Sequence, residues 1–203
     1  MLIVIIGPDG CGKTTIANEL CNILSKRNIT THHLAMNFEI LPKLGDITNF
    51  LTNSKPKERH KEGEMYVGMK DMPNSTLKGM IISTWYSLDY FFGRYKLLKW
   101  KSDVVIFARY FYDYSYQRVH INTPKWYLKI LEILIPKPDF IFTLDRDAKN
   151  IFELKPELSV REIERQQSEI CILLKNKSNS HIIDGNEGIV ETLNKILRII
   201  DRR

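Results

Sequence analysis

Apolar positions along the chain follow two rhythms. Leu2 to Ile6, Val104 to Phe107, Phe140 to Leu144 and the shorter His181 to Ile183 are continuous apolar runs, the pattern of strands covered on both faces, and Thr30 to Met36 reads as a further strand. Between them the apolar positions recur at helical spacing. Ile16, Leu20, Ile23 and Leu24 follow the first run; Met80, Ile81, Leu88, Phe91, Phe92 and Tyr95 mark Thr76 to Lys99; Ile189, Val190, Leu193, Ile196 and Leu197 mark Glu187 to Ile200. Such alternation predicts an α/β fold: three layers, with helices on both faces of a mainly parallel five-stranded sheet. The aromatic residues on the Thr76 to Lys99 stripe are expected in the core. Thr123 before Pro124 suits a helix cap and first turn, and Ser159 with Glu162 makes an S-x-x-E capping box ahead of Ile163, Ile170 and Leu173. From Phe38 to Ser75 the periodicity decays into Gly, Pro, Asn and Lys, which predicts a long irregular insertion of functional use.

Composition bounds the picture. A chain of 203 residues with 43% hydrophobic content suffices for a single domain over 1–203 with a developed core. The net charge of +6 is spread along the chain and mixed with acids. Its densest basic stretch, Lys55 to Lys61, has no interleaved aromatics and reads as a solvated loop, and anionic nucleotides explain part of the excess at least as well as nucleic acid does. Cys11, Cys21 and Cys171 have neither CxxC spacing nor an even count, which points to a reducing cytosol. No apolar stretch approaches the roughly 20 residues of a bilayer span, and the first run is too short for a signal peptide, so neither membrane insertion nor export is expected.

Residues 7 to 15, Gly-Pro-Asp-Gly-Cys-Gly-Lys-Thr-Thr, complete a G-x-x-x-x-G-K-T phosphate-binding loop between the first strand and the first helix. Gly7, Gly10 and Gly12 let the backbone curl until its N–H groups converge on one anion, and the helix start adds its dipole. Gly7, Asp9, Gly10, Cys11, Gly12, Lys13, Thr14 and Thr15 are therefore assigned to the phosphates of ATP. Lys13 supplies the ammonium for the terminal phosphates and Thr14 a hydroxyl for Mg2+. Cys11, beside Lys13 and the helix start, sits where a thiol pKa is lowered, although a small filler is the simpler reading.

Several segments together resemble thymidylate kinase and its relatives among the nucleoside monophosphate kinases. The loop itself is one, with Asp9 at its third position; VVIFARYFYDYSYQ (Val104 to Gln117) is similar to the family's strand, Asp-Arg pair and Tyr-Gln pair; PKPDFIFTLDRD (Pro136 to Asp147) to its strand ending in Leu-Asp; HIIDGN to the turn near the adenine; and KPELSVREIERQ (Lys155 to Gln166) to its lid. The resemblance covers most of the chain. It implies transfer of the ATP γ-phosphoryl group to a nucleoside monophosphate, most simply thymidylate or a related pyrimidine nucleotide, a lid within 146–167, an acceptor-side insertion at 38–75, and a homodimer. It also implies that Asp9, Arg109, Tyr116 and Gln117 bind the acceptor and that Arg161 and Arg165, four apart on one helix face, join Lys13 and Arg109 in catalysis.

The chain departs from this pattern at Ala108, where relatives carry an aspartate, at Glu39, where an arginine is usual, and at Leu154, in place of a lid arginine. Asp145, at the end of a predicted strand, is the candidate for a water-mediated Mg2+ contact. Two alternatives stay open: a kinase for a nucleoside or sugar derivative, and a nucleotide-binding relative without turnover.

Overall fold

Five strands form one sheet: β1 (Leu2–Ile6), β2 (Thr31–Leu34), β3 (Val104–Phe107), β4 (Phe140–Asp145) and β5 (Ser180–Asp184). Their order is β2-β3-β1-β4-β5, and every pairing is parallel. The computed structural model of the chain describes residues 1–44 and 75–202. Parallel neighbours require crossovers, supplied by α1 (Lys13–Lys26) after β1, α2 (Thr76–Lys99) before β3, α3 (Asp113–Tyr116) and α4 (Lys125–Leu131) before β4, α5 (Ala148–Leu154) and α6 (Val160–Leu174) before β5, and α7 (Ile189–Ile200) at the end. The expected α/β architecture, a parallel sheet flanked by helices, is what the chain adopts.

The continuous apolar runs are explained by cover on both faces. Ile3 and Ile5 join Ile106 and Phe142 in one core with Ile16, Leu20 and Leu24 of α1 and Leu193 and Ile196 of α7. Leu2, Val4 and Ile6 point the opposite way, into a second core with Val105, Phe107, Ile141 and the aromatic group Tyr90, Tyr110, Phe111, Tyr114 and Tyr116. Ile3 pairs with Ile106 on one side and Phe140 on the other, so β1 is central and its carboxyl end opens onto the middle of the sheet edge.

The helix α2 departs from expectation. Its buried positions are Gly79, Ser83, Ser87, Asp89, Tyr90 and Gly93, whereas Ile81, Phe92 and Tyr95 of the expected core stripe are exposed. Close approach is the cause. A Cβ at Gly79 would run into the Ile121 and Asn122 carbonyls, and one at Gly93 into the Phe38 ring. The small hydroxyls on the same face satisfy themselves locally: Ser87 Oγ donates to Ser83 O at 2.7 Å, and Ser83 Oγ meets Thr123 Oγ1 at 2.6 Å.

Caps follow the sequence in part. Ser159 Oγ accepts from Glu162 N at 3.3 Å, opening α6, but the Glu162 carboxylate turns to Arg165 and Gln166 instead of closing a box. Thr123 does not cap α4: its hydroxyl donates to Gly79 O at 3.0 Å, and Pro124 occupies the cap position. Asp147 caps α5 through Lys149 N and Asn150 N at 2.8 and 3.2 Å. Of the irregular insertion, its root is described. Asp89 of α2 accepts from Phe38 N, Ile40 N and Leu41 N at 2.8, 2.7 and 2.9 Å, and the Phe38 ring is buried against Tyr90 and Phe107. The rest of it, including Lys55 to Lys61, lies outside the described residues.

Candidate functional site

The carboxyl ends of parallel strands share one edge, where side chains from several crossovers converge. Here β1 runs into the glycine loop, β3 into Ala108 and Arg109, and β4 ends at Asp145. Gly7, Gly10 and Gly12 all have positive φ, 152°, 91° and 102°. Two of these demand glycine for separate reasons. At Gly7 a Cβ would stand 2.6 Å from Cys11 Sγ and 3.3 Å from Leu144 O, so the loop crosses too close to β4 for a side chain. Gly12 is the left-handed residue immediately before α1, and nothing obstructs it, so there conformation alone selects glycine.

Lys13 begins α1, yet its side chain is only 5% exposed. It folds back so that Nζ donates to Gly7 O at 2.8 Å and Pro8 O at 2.7 Å, with Asp9 Oδ1 at 3.4 Å. The ammonium therefore lies inside the curve of the loop, held by main-chain carbonyls. Thr14 and Thr15 are exposed on the first turn of α1.

Asp9, Arg109 and Gln117 close a three-membered knot over this loop. Arg109 Nη2 contacts Asp9 Oδ1, Gln117 Nε2 donates to Asp9 Oδ2, and Arg109 Nη1 donates to Gln117 Oε1 at 3.0 Å. The three residues come from the ends of β1 and β3 and the turn after α3, and the structure brings them together. A cleft of about 560 Å³ opens beside them, lined by Asp9, Gln117, Arg118 and His120 on one side and Leu158, Glu162 and Gln166 on the other.

Tyr116 is not where a base could meet it. Its side chain is fully buried, because its hydroxyl reaches under the loop, 2.6 Å from Asp113 Oδ1 and 3.4 Å from Gly7 O. The acceptor-facing place expected for Tyr116 is thus corrected to a support beneath Gly7. Cys11 follows the simpler reading, a small buried filler, and not that of a thiol with lowered pKa. Burial pushes its thiol up from the ordinary 9.0, outweighing the opposing pull of Lys13.

Arg161 and Arg165 part company. Arg165 donates from Nη2 to Tyr116 O at 2.7 Å and is paired with Glu162, its Nε 2.8 Å from Oε2, whereas Arg161 is exposed. The Arg165 hydrogen bonds hold the Glu162 carboxyl below its usual range. Asp145 is exposed and accepts from Gln167 Nε2 at 3.2 Å.

Asp113 is the site residue that sequence reasoning missed. It is fully buried, and burial raises its carboxyl above the ordinary 3.8 against the pull of Lys13, the Tyr116 hydrogen bond, Arg109 and Arg118. A carboxylate set among tyrosines that must pack was the available signal.

Among the described residues no cluster of three or more His, Cys, Asp or Glu is arranged to hold a metal ion, and no helix is long and apolar enough to cross a membrane. Comparison with protein-family models and with curated proteins finds no match.

Proposed function

We propose that the chain is a P-loop kinase that transfers the γ-phosphoryl group of ATP to a nucleoside monophosphate, thymidylate or a related pyrimidine nucleotide by resemblance. The observation that carries this reading is the position of Lys13: a buried ammonium inside a ring of glycines with positive φ at the head of α1. A phosphate chain would exploit that arrangement, because the helix dipole and the ammonium both favour negative charge at the head of α1.

In this reading Lys13 leaves Gly7 O and Pro8 O for the β- and γ-phosphates. Arg109, whose planar fork now spans Asp9 and Gln117, presents the acceptor phosphate at the mouth of the neighbouring cleft. An acceptor phosphate oxygen attacks the γ-phosphorus as the bond to the β–γ bridging oxygen breaks, and ADP leaves with that oxygen. The nucleophile is already ionised, so no strong general base is needed, and positioning with charge neutralisation suffices. Ala108, which brings no acid to the end of β3, is compatible with such a reaction.

Mg2+ fits the donor set. It usually takes one or two protein oxygens beside phosphates and waters, so the Thr14 hydroxyl and the Asp145 carboxylate would hold it without a dedicated protein cluster. It would supply charge neutralisation on the phosphates. Arg161, exposed at the start of α6, is free to swing over the transferring group, whereas Arg165 holds the α3 turn to α6 through Tyr116 O. The same reading includes ATP as donor, a cytoplasmic setting and a homodimer.

The test is ADP release with MgATP against a panel of monophosphates, nucleosides and sugars. Release that depends on one pyrimidine monophosphate is the expected result. Dependence on a nucleoside or sugar instead would redirect the acceptor, and MgATP binding without turnover would leave a nucleotide-binding protein in which the loss at Ala108 is decisive.

A further inference from the structure

Three charged side chains are buried among the described residues: Lys13, Asp89 and Asp113. Asp89 is served by three main-chain amides, so its charge is spread over hydrogen bonds at the root of the insertion. Asp113 has far less. Oδ1 takes the Tyr116 hydroxyl at 2.6 Å, and Oδ2 has no hydrogen-bond partner. A carboxylate so placed is expensive unless an opposite charge stands near it.

That charge is Lys13. The Tyr116 hydroxyl that serves Asp113 lies 3.4 Å from Gly7 O and 3.5 Å from Gly7 N, and Gly7 O in turn receives Lys13 Nζ at 2.8 Å. One phenol and one peptide unit separate the buried anion from the buried cation. Arg109 and Arg118 are the other cations that draw its carboxyl down, each by less than Lys13.

We propose that Asp113 is the buried counter-charge of Lys13 beneath the loop, in addition to the Asp9 carboxylate 3.4 Å from Nζ, and a positioning residue that competes with a bound polyphosphate for the ammonium and so limits how tightly the loop holds nucleotide. This rests on the reading that the loop takes a triphosphate. When phosphates draw the ammonium outward, Asp113 keeps its burial and loses part of its compensation, and that loss is subtracted from binding. A donor loop without such a counter-charge would grip ADP as well as ATP more firmly and release product more slowly.

The direction of the effect separates this role from scaffolding. Asp113→Asn keeps the shape and an acceptor for Tyr116 while removing the charge, so it strengthens polyphosphate binding; loss of a mere support would weaken it. The experiment is titration calorimetry at pH 8, which favours the ionised carboxylate, of wild type, D113N and Y116F with inorganic tripolyphosphate and with MgATP. D113N is expected to bind both about tenfold more tightly, the scale of one partly screened charge pair. Y116F, which retains the charge, shows no tightening. Equal or weaker binding by folded D113N overturns the proposal. Asp113→Ser carries the same expectation should D113N not fold, and failure of both neutral replacements to fold assigns Asp113 to assembly of the fold and overturns it as well. Wild-type protein that gives no heat takes down the nucleotide reading together with this inference, whereas wild-type binding without tightening in the neutral variants takes down this inference alone.

Discussion

Lys13 is the residue on which the proposed transfer rests, and its replacement gives the plainest outcome. In the proposed reaction Lys13→Ala removes the ammonium that would leave Gly7 O and Pro8 O for the transferring phosphoryl group, so kcat should fall by about 10²–10³ in the coupled ADP assay. Arg109→Lys keeps the charge and loses the fork that spans Asp9 and Gln117. The acceptor KM should rise about tenfold, the worth of ~1.4 kcal/mol, with the KM for ATP unchanged in steady-state kinetics. Asp113 supplies a pH signature of its own. Its folded pKa lies above the ordinary 3.8, so between the two values the folded chain binds more protons than the unfolded one, and stability falls as pH rises through that window. D113N escapes this loss. Urea unfolding of both proteins from roughly pH 4 to pH 7 should show the variant gaining on wild type as pH rises; a constant difference would deny the shift.

At the scale of elements, the strand–loop–helix from Leu2 to Lys26 was legible because every signal in it is local: a continuous apolar run, three glycines at fixed offsets and a helical stripe. The helix α2 was not. Its inward face is chosen by partners distant in sequence, the Ile121 carbonyl and the Phe38 ring, which admit only glycine at 79 and 93, so periodicity alone turned the helix the wrong way. Tyr116 escaped for the same reason, since the carbonyl it approaches belongs to Gly7, and Thr123 capped nothing because Pro124 takes the cap position while the Thr123 hydroxyl turns to Gly79 O and Ser83 of α2. Gly93→Ala tests the packing argument: a methyl group forced against Phe38 should cost about 1–3 kcal/mol, read from the urea midpoint, unless the ring can yield.

For the whole molecule, the inverted α2 leaves Ile81, Phe92 and Tyr95 on the outside, at 59%, 41% and 59% exposure. A row of large apolar groups on one helix suits the proposed homodimer better than it suits water. Tyr95→Glu should then shift sedimentation from dimer to monomer without lowering the unfolding midpoint of the protomer; a wild-type monomer at all concentrations would remove the pairing.

The backward fold of Lys13 has one more consequence. On the proposed reading its two carbonyl bonds, to Gly7 and Pro8, would be surrendered to the incoming phosphates, so docking would be an exchange of partners from the first instant. A chain of phosphates would then have the oxygens to replace both carbonyls at once, which a single phosphate would have to do with one group. If the loop takes a triphosphate, preference for a chain of phosphates over a single one follows from the way Lys13 rests on its own backbone.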